Sequence, residues 1–385
     1  MEILFWISLF IIFYTYIGYG IVLLVLVKLF RRKRPVFGDY ALPTLTIMIA
    51  AYNEKDFIRK KIDNTLQLDY PADKIKYMFV TDGSTDGTDK IVSEYPRLQL
   101  VHKDGRSGKI AAVHRAMGFV DTEIVVFTDA NTLLNKDALL KIARHYAEPK
   151  IGAVSGEKRV EIEETSDATA GEGFYWKYES KLKTWDSMLY SVVGAAGELF
   201  SIRTALYEPV PSNSLLDDFM ISMRIAEKGY RIVYEPEAYA MEKSSASIKE
   251  ELKRKVRIAA GGMQSIVWLA HLLLPFKQPL LSFEYVSHRV LRWTITPFLL
   301  ILAVLLNGWI VLQGAGWVYM VLLVCQLGFY LLALLGWILE TKEVRIKILF
   351  IPYYFCLMNY AVIAGIFRYF FTTQTGVWDK AQRKL

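Results

Sequence analysis

Leu45-Thr46-Ile47-Met48-Ile49-Ala50-Ala51-Tyr52-Asn53-Glu54 begins as an apolar run of strand composition and ends in a polar turn. The same construction recurs twice downstream. Ile75 to Val80 leads into Thr81-Asp82-Gly83-Ser84-Thr85-Asp86-Gly87-Thr88, and Ile124 to Thr128 leads into Asp129-Ala130-Asn131. Lys55 to Leu68, Asp86 to Tyr95 and Gly108 to Val120 lie between them and read as helices. Leu98 to His102 reads as a further strand, and Lys136 to Tyr146 as a further helix. Strands alternating with crossover helices predict an α/β fold: a mostly parallel sheet with helices on both faces. In such sheets ligands bind beyond the carboxyl ends of the strands. Tyr52, Glu54, Asp82 and Asp129 all fall there.

A second region starts near Gly152. Ala153 to Val160 reads as a longer strand, and Gly171 to Leu189 as an aromatic-rich amphipathic helix with Phe174, Tyr175, Trp176, Tyr178 and Trp185. Those aromatics suit either a core or a surface that stacks on sugar or faces a membrane. Gly194-Ala195-Ala196-Gly197 is a small-residue stretch where a substrate can approach the backbone. Asp217-Asp218 opens a helix-like run that ends at Arg224.

Two hydrophobic ends enclose this region. The chain has 385 residues, 53% of them hydrophobic, a net charge of +7 and two cysteines. Its mean hydropathy is +0.25. Ile3 to Phe30 is nearly uncharged and long enough to cross a hydrocarbon core. Trp293–Leu312, Trp317–Leu339 and Ile348–Phe371 are further candidates. Positive charge concentrates beside apolar segments, at Arg31 to Arg34 and Lys249 to Arg257, which favours a membrane over a nucleic acid as partner. The positive-inside rule puts Arg31 to Arg34 in the cytoplasm. The basic tail prefers that side too, although four crossings would carry it outside. Arg368 and Pro352 single out the last segment as re-entrant or interfacial. Lys249 to Leu274, basic then apolar, reads as an interfacial helix. The expected organisation is a membrane helix and basic flank at 1–34, a catalytic domain at 40–245 and interfacial helices at 246–282. Membrane helices at 283–372 and a basic tail at 373–385 complete it. Cys325 and Cys356 lie in apolar segments and imply no disulfide framework.

The polar elements carry chemistry. Gly83 and Gly87 permit a tight turn, and Asp86 suits a helix cap. Asp82, at a strand end, is placed to accept hydrogen bonds from a base or ribose. Asp129 and Asn131, two residues apart, point the same way on an extended backbone. Oxygen ligands of this kind suit Mg²⁺ or Mn²⁺ shared with a phosphate. Asp217-Asp218 suits either a helix start or a general base, because adjacent carboxylates raise one another's pKa. The sequence has no zinc spacing, no phosphate-binding G-x-x-x-x-G-K-[ST] loop and no dinucleotide fingerprint.

Taken in order, these motifs resemble the family-2 inverting glycosyltransferases of the GT-A fold. They are most similar to membrane synthases of cellulose, hyaluronan, chitin oligosaccharide and poly-N-acetylglucosamine. The resemblance covers about Leu45 to Trp293. It implies that Asp82 holds the uridine, that Tyr52 and Glu54 lie near the base, and that Lys109 helps to bind nucleotide. It implies a D-x-D metal motif at Asp129 and Asn131, a catalytic base at Asp218, and a diphosphate contact at Arg257. Gly197, Asp217 and Trp176 fall on the acceptor side. Arg254-Lys255-Val256-Arg257-Ile258 sits where processive members carry Q-x-x-R-W; Arg254 replaces the glutamine and Ile258 the tryptophan.

The expected function is transfer of a hexosyl or N-acetylhexosaminyl group from a UDP-sugar to a glycan or lipid-linked acceptor. It forms a β-linkage in exopolysaccharide or cell-surface glycan, at the cytoplasmic face of a bacterial inner membrane. The alternative is addition of a single sugar to a lipid-linked oligosaccharide. Lower in order stand an inactive nucleotide-sugar sensor or scaffold and a membrane nucleotidyltransferase. Oligomeric state is not legible.

Overall fold

A computed structural model describes residues 1–30, 40–161, 169–243, 247–342 and 346–374. Arg31 to Arg34 and the tail from 375 to 385, which bear on orientation, lie outside the described residues, as do the side chains of Phe174 and Tyr175. Helix α1 (Glu2–Phe13) runs through a π-helical turn, Tyr14–Gly18, into α2 (Tyr19–Leu29). The globular part follows: β1 (Leu45–Ala51), α3 (Lys55–Leu66), β2 (Ile75–Asp82), α4 (Thr88–Ser93), β3 (Leu98–Lys103), α5 (Lys109–Met117), β4 (Ile124–Asp129), β5 (Thr132–Leu134), α6 (Ala138–Ala143), β6 (Ile151–Glu161), α7 (Thr169–Leu189), β7 (Leu199–Arg203), α8 (Asp217–Glu227) and β8 (Arg231–Lys243). The chain ends in α9 (Ile248–Trp268), α10 (Pro279–Tyr285), α11 (Leu291–Trp293), α12 (Ile295–Leu312), α13 (Trp317–Glu340) and α14 (Lys347–Phe371).

One eight-stranded sheet has the order β3-β2-β1-β4-β7-β6-β8-β5. Its first four strands are parallel, as expected. The rest makes it mixed, because β7 is antiparallel to both β4 and β6, and β5 is antiparallel to β8. Sequence reading missed β5, β7 and β8. Gly156 pairs with Glu235 and Glu157 with Tyr239, so Pro236, Glu237 and Ala238 loop out of the β8 ladder. Proline has no N–H for that ladder, so a bulge is where it is tolerated.

Alternation along β1 sorts the core into two layers. Leu45, Ile47 and Ile49 pack with Ile58 and Ile62 of α3, Ile91 and Val92 of α4, and Leu139 and Ile142 of α6. Met48 faces the other way and shares a cluster with Ile110 and Val113 of α5 and Met220 and Met223 of α8. The helices thus cover both faces and leave the strand ends open.

Among the described residues, four helical segments are long and apolar enough to cross a membrane: Glu2–Leu29, Ile295–Leu312, Trp317–Glu340 and Ile348–Phe371. The last is one continuous helix with Pro352 inside it. Pro352 falls in the second turn, where its missing N–H leaves the Ile348 carbonyl without its i+4 donor. Gly365 lets α14 approach α9 closely, since a Cβ there would lie 2.4 Å from that of Ala259. Tyr178 and Trp185 of α7 pack with Tyr19, Leu23 and Val27 of α2, so these two aromatics are a helix–helix core.

A buried ionic cluster joins α7 to α2 and to the segment 286–293 that contains α11. Glu179 accepts from His288 Nε2 at 3.1 Å, Arg289 NH1 at 3.0 Å and Arg292 NH1 at 2.9 Å. His288 Nδ1 meets Asp186 at 2.5 Å, and Asp186 also accepts from the Tyr19 hydroxyl. Burial opposes the charge on Glu179, but His288, Arg289 and Arg292 hold its carboxyl well below the usual range. Removing one partner of such a cluster strands the others in low dielectric. Glu179→Ala is expected to destabilise by about 3–5 kcal/mol, read as a lower thermal midpoint of the detergent-solubilised protein. An unchanged midpoint would remove the cluster as the joint.

Candidate active site

Strand register brings the functional groups together. Ala51 lies beside Thr81, and Ala50 beside Asp129. The loops after β1 and β2 are laced to each other. Thr85 N donates to Asn53 Oδ1 at 2.9 Å, Glu54 N to Thr88 Oγ1 at 2.9 Å and Lys55 N to Asp86 Oδ2 at 2.9 Å. Asp86 also caps the start of α4, accepting from Thr88 N at 3.0 Å. Beyond these loops opens a cavity of ≈ 290 Å³. Tyr52, Glu54, Asp82, Lys109, Asp129, Asn131, Gly197, Asp217, Asp218 and Arg257 all line it. Trp176 is not among its lining residues; the ring lies 5.4 Å from Lys255 Nζ, beside α9.

Two local geometries differ from expectation. Asp82 is not free: Ser107 N and Gly108 N donate to its Oδ2 at 2.6 and 2.7 Å, and Arg115 NH1 to its Oδ1 at 3.3 Å. The carboxylate anchors the start of α5 while bordering the cavity. Asp129 closes β4, but Asn131 stands in a turn rather than on an extended strand. Both nevertheless reach the cavity wall.

Charge balance dominates the interior. Lys109 Nζ donates to Asp129 Oδ1 at 2.7 Å, engaging one of the two carboxylate oxygens. Burial works against the Lys109 ammonium, but Asp129, Asp217 and Asp218 together hold it above the usual lysine range. Burial, with Asp217 beside it, pushes Asp218 up to about 7 against the pull of Lys109. Burial also draws the Arg257 guanidinium below its ordinary range, against the pull of Asp217.

Several lining residues escaped the sequence reading. Arg106 lies over the Tyr52 ring at 3.9 Å, a cation–π cover for the side of the cavity that Tyr52 forms. Glu198 lines the cavity next to Gly197 and accepts from Lys158 Nζ at 2.6 Å. Lys158 also pairs with Glu242, which stands 3.9 Å from Arg254. Arg106 sits within the Gly105-Arg106-Ser107-Gly108-Lys109 stretch, and Glu198 adjoins a singled-out glycine. Those neighbourhoods were the available signal.

Residues 46–210 match the family model described as Glycosyl transferase family 2. The β-monoglucosyldiacylglycerol synthase of Synechocystis sp. is 30% identical over 196 residues, which are 48% of this chain and 40% of that protein. The poly-β-1,6-N-acetyl-D-glucosamine synthase of Staphylococcus aureus is 24% identical over 243 residues, 61% of this chain and 58% of that protein. The matched parts therefore span between 40% and 58% of these relatives. A mannosyltransferase from Pyrobaculum calidifontis, solved with GDP-Man and Mn²⁺, aligns over 96% of this chain and 99% of its own, with a TM-score of 0.71 and 23% identity. The segment 46–210 is a family-2 glycosyltransferase domain with the GT-A fold, related to polysaccharide synthases.

Gly197 owes its identity to its neighbour: a Cβ there would lie 2.8 Å from Asp218 Oδ2. Gly197→Ala is expected to displace that carboxylate and lower the rate of sugar transfer by about a hundredfold, with donor affinity unchanged. Steady-state kinetics check this, and wild-type turnover would show that Asp218 has no fixed placement to lose.

Proposed function

We propose that this chain is an integral membrane glycosyltransferase that moves a sugar from a UDP-sugar to a hydroxyl of a glycan, with inversion to a β-linkage. The carrying observation is the convergence of Asp82, Lys109, Asp129, Asn131, Arg257 and Asp218 on one cavity beyond the strand ends. Tyr52 and Glu54 border the region of the base, and Asp82 the ribose. Lys109 and Arg257 supply positive charge for the diphosphate. The catalytic domain faces the cytoplasm, where nucleotide sugars are made.

Asp129 and Asn131 would hold Mg²⁺ or Mn²⁺ together with the donor diphosphate. Their oxygen donors fit such a hard cation. Among the described residues no group of three or more His, Cys, Asp or Glu forms a complete metal cage, which fits a site completed by phosphate oxygens. When bound, the cation neutralises charge developing on the departing diphosphate.

Asp218 acts as the general base. Its carboxylate takes the proton of the acceptor hydroxyl, and the oxygen attacks the anomeric carbon. The bond from that carbon to the diphosphate oxygen breaks on the opposite side. The electron pair leaves with the nucleoside diphosphate, whose charge Arg257 and Lys109 receive. An α-linked donor thus yields a β-linked product.

A second reading keeps the chemistry and changes the product: one sugar added to a lipid or lipid-linked acceptor. Ile258 lines the cavity where processive enzymes carry tryptophan, and the 30% identical relative is named for a glucosyldiacylglycerol. Counting sugars per product separates the two.

Asp218→Asn is expected to bind donor normally and to lose about 10²–10⁴-fold in transfer; full activity would sink the base assignment. The pH profile follows from the same group. A carboxyl raised to about 7 is protonated below that pH and cannot accept a proton. Turnover should therefore fall as pH drops through about 7 and level off above it. An acid limb near the ordinary carboxylate pKa would contradict this.

Incubating membranes with a panel of UDP- and GDP-sugars, and following release of the diphosphate, tests the donor. Release from UDP-sugars that stops in excess chelator and returns with Mn²⁺ or Mg²⁺ is expected. Undiminished turnover in chelator would remove the role given to Asp129 and Asn131.

A further inference from the structure

Lys61, on α3, is 0% exposed. It lies behind the turn that follows β4, on the side away from the cavity, and is not among the cavity's lining residues. Its Nζ donates to Thr128 Oγ1 at 3.0 Å, to the Thr132 carbonyl at 2.9 Å and, more weakly, to Thr132 Oγ1 at 3.4 Å. These two threonines flank Asp129-Ala130-Asn131. Thr132 Oγ1 donates in turn to the Asp129 carbonyl at 2.9 Å, closing the turn. Thr128 Oγ1 donates to the Glu198 carbonyl at 2.9 Å, tying in the segment that carries Gly197.

An ammonium is an expensive way to fill such a place. Methionine has nearly the same length and no charge to desolvate. What lysine adds is three donors on one atom, and its contacts are with the two ends of a single turn. A positive charge behind that turn also faces Asp129 electrostatically. Burial lowers the Lys61 pKa to about 7, and the Asp129 carboxylate opposes that shift.

We propose that Lys61 is a positioning residue for the metal–diphosphate site: it fixes the Asp129-Ala130-Asn131 turn so that Asp129 and Asn131 address one cation, without touching donor itself. This rests on the donor reading above. Supporting groups behind metal ligands commonly set affinity by about 10–100-fold when removed.

The test uses the full chain in detergent, with Lys61→Met, Lys61→Arg, Thr132→Val and Asp129→Asn. Mn²⁺ binding is read from the free-ion paramagnetic resonance signal in the presence of UDP, or of GDP where UDP does not bind. Nucleotide binding without metal is read by calorimetry. Lys61→Met should weaken Mn²⁺ binding by about 10–100-fold and leave metal-free nucleotide binding unchanged. Thr132→Val should act in the same direction to a smaller extent, and Lys61→Arg should recover part of the loss. Asp129→Asn marks the full loss. Wild-type Mn²⁺ affinity in Lys61→Met overturns the proposal. So does an equal loss of Mn²⁺ and of metal-free nucleotide binding, which is the mark of general unfolding. If Lys61→Met does not fold, Thr132→Val decides by the same two readouts. A wild-type protein that binds neither Mn²⁺–UDP nor Mn²⁺–GDP overturns the donor reading and this proposal together.

Discussion

Asp129, Asp217 and Asp218 face Lys109 and Arg257 across one cavity, and neither set is stable there without the other. Burial disfavours the charge of a carboxylate, and a like charge beside it disfavours that charge further. The Lys109–Asp129 bond at 2.7 Å relieves one of the three. Burial, and after it the charge of Asp217, raises the Asp218 carboxyl to about 7. On the donor reading this imbalance is useful. A nucleoside diphosphate brings negative charge toward Lys109 and Arg257, and a divalent cation brings positive charge toward Asp129. The cavity is therefore suited to a pair of ligands of opposite sign, more than to either alone.

The sheet and the membrane helices meet through α9. Arg254, Arg257 and Ile258 line the cavity from its first half. Ile266 and the following Leu269 enter the core under the sheet, and Ala259 lies against Gly365 of α14. On the proposed reading, a helix fixed at once to the core under the sheet and to a candidate membrane span would hold the cavity at a constant distance from the bilayer. The ionic cluster around Glu179 makes a second attachment, from α7 to α2 and α11. Two separate joints resist rocking of the domain on its helices better than one.

Legibility in the sequence followed the physics of each element. The parallel half was readable because β1, β2 and β4 are short uninterrupted apolar runs, each ending in a polar turn. β7 is equally apolar but only five residues long, and β8 is broken by Pro236-Glu237-Ala238. Neither has the period that marks a strand, so the mixed half was not foreseen. The site residues were readable by type, since carboxylates at strand ends are conspicuous. Their partners were not. Arg115 reaches Asp82 from about 1.7 turns beyond Lys109 on α5, and Lys158 of β6 reaches Glu198 just before the neighbouring β7. Only the folded chain makes those distances short. Lys61 is the extreme case: in sequence it is one cation among several on an amphipathic helix.

Product length turns on the same helix that joins the two parts. Tryptophan offers a flat aromatic face on which a sugar ring can stack as a chain is advanced. Ile258 offers aliphatic bulk instead, and aliphatic surface does not hold a pyranose in register. Arg254 changes the neighbourhood further. Its guanidinium bonds Glu251 at 3.0 Å and lies 3.9 Å from Glu242, so it is tied into the wall rather than extended toward an acceptor as a glutamine amide would be. A cavity keeping the transfer groups while lacking the stacking face retains the means to add a sugar and loses a means to hold the product for the next. On the proposed reading, transfer would rest on groups from the strand ends and from α5, α8 and α9 together, and the choice of acceptor would rest on α9.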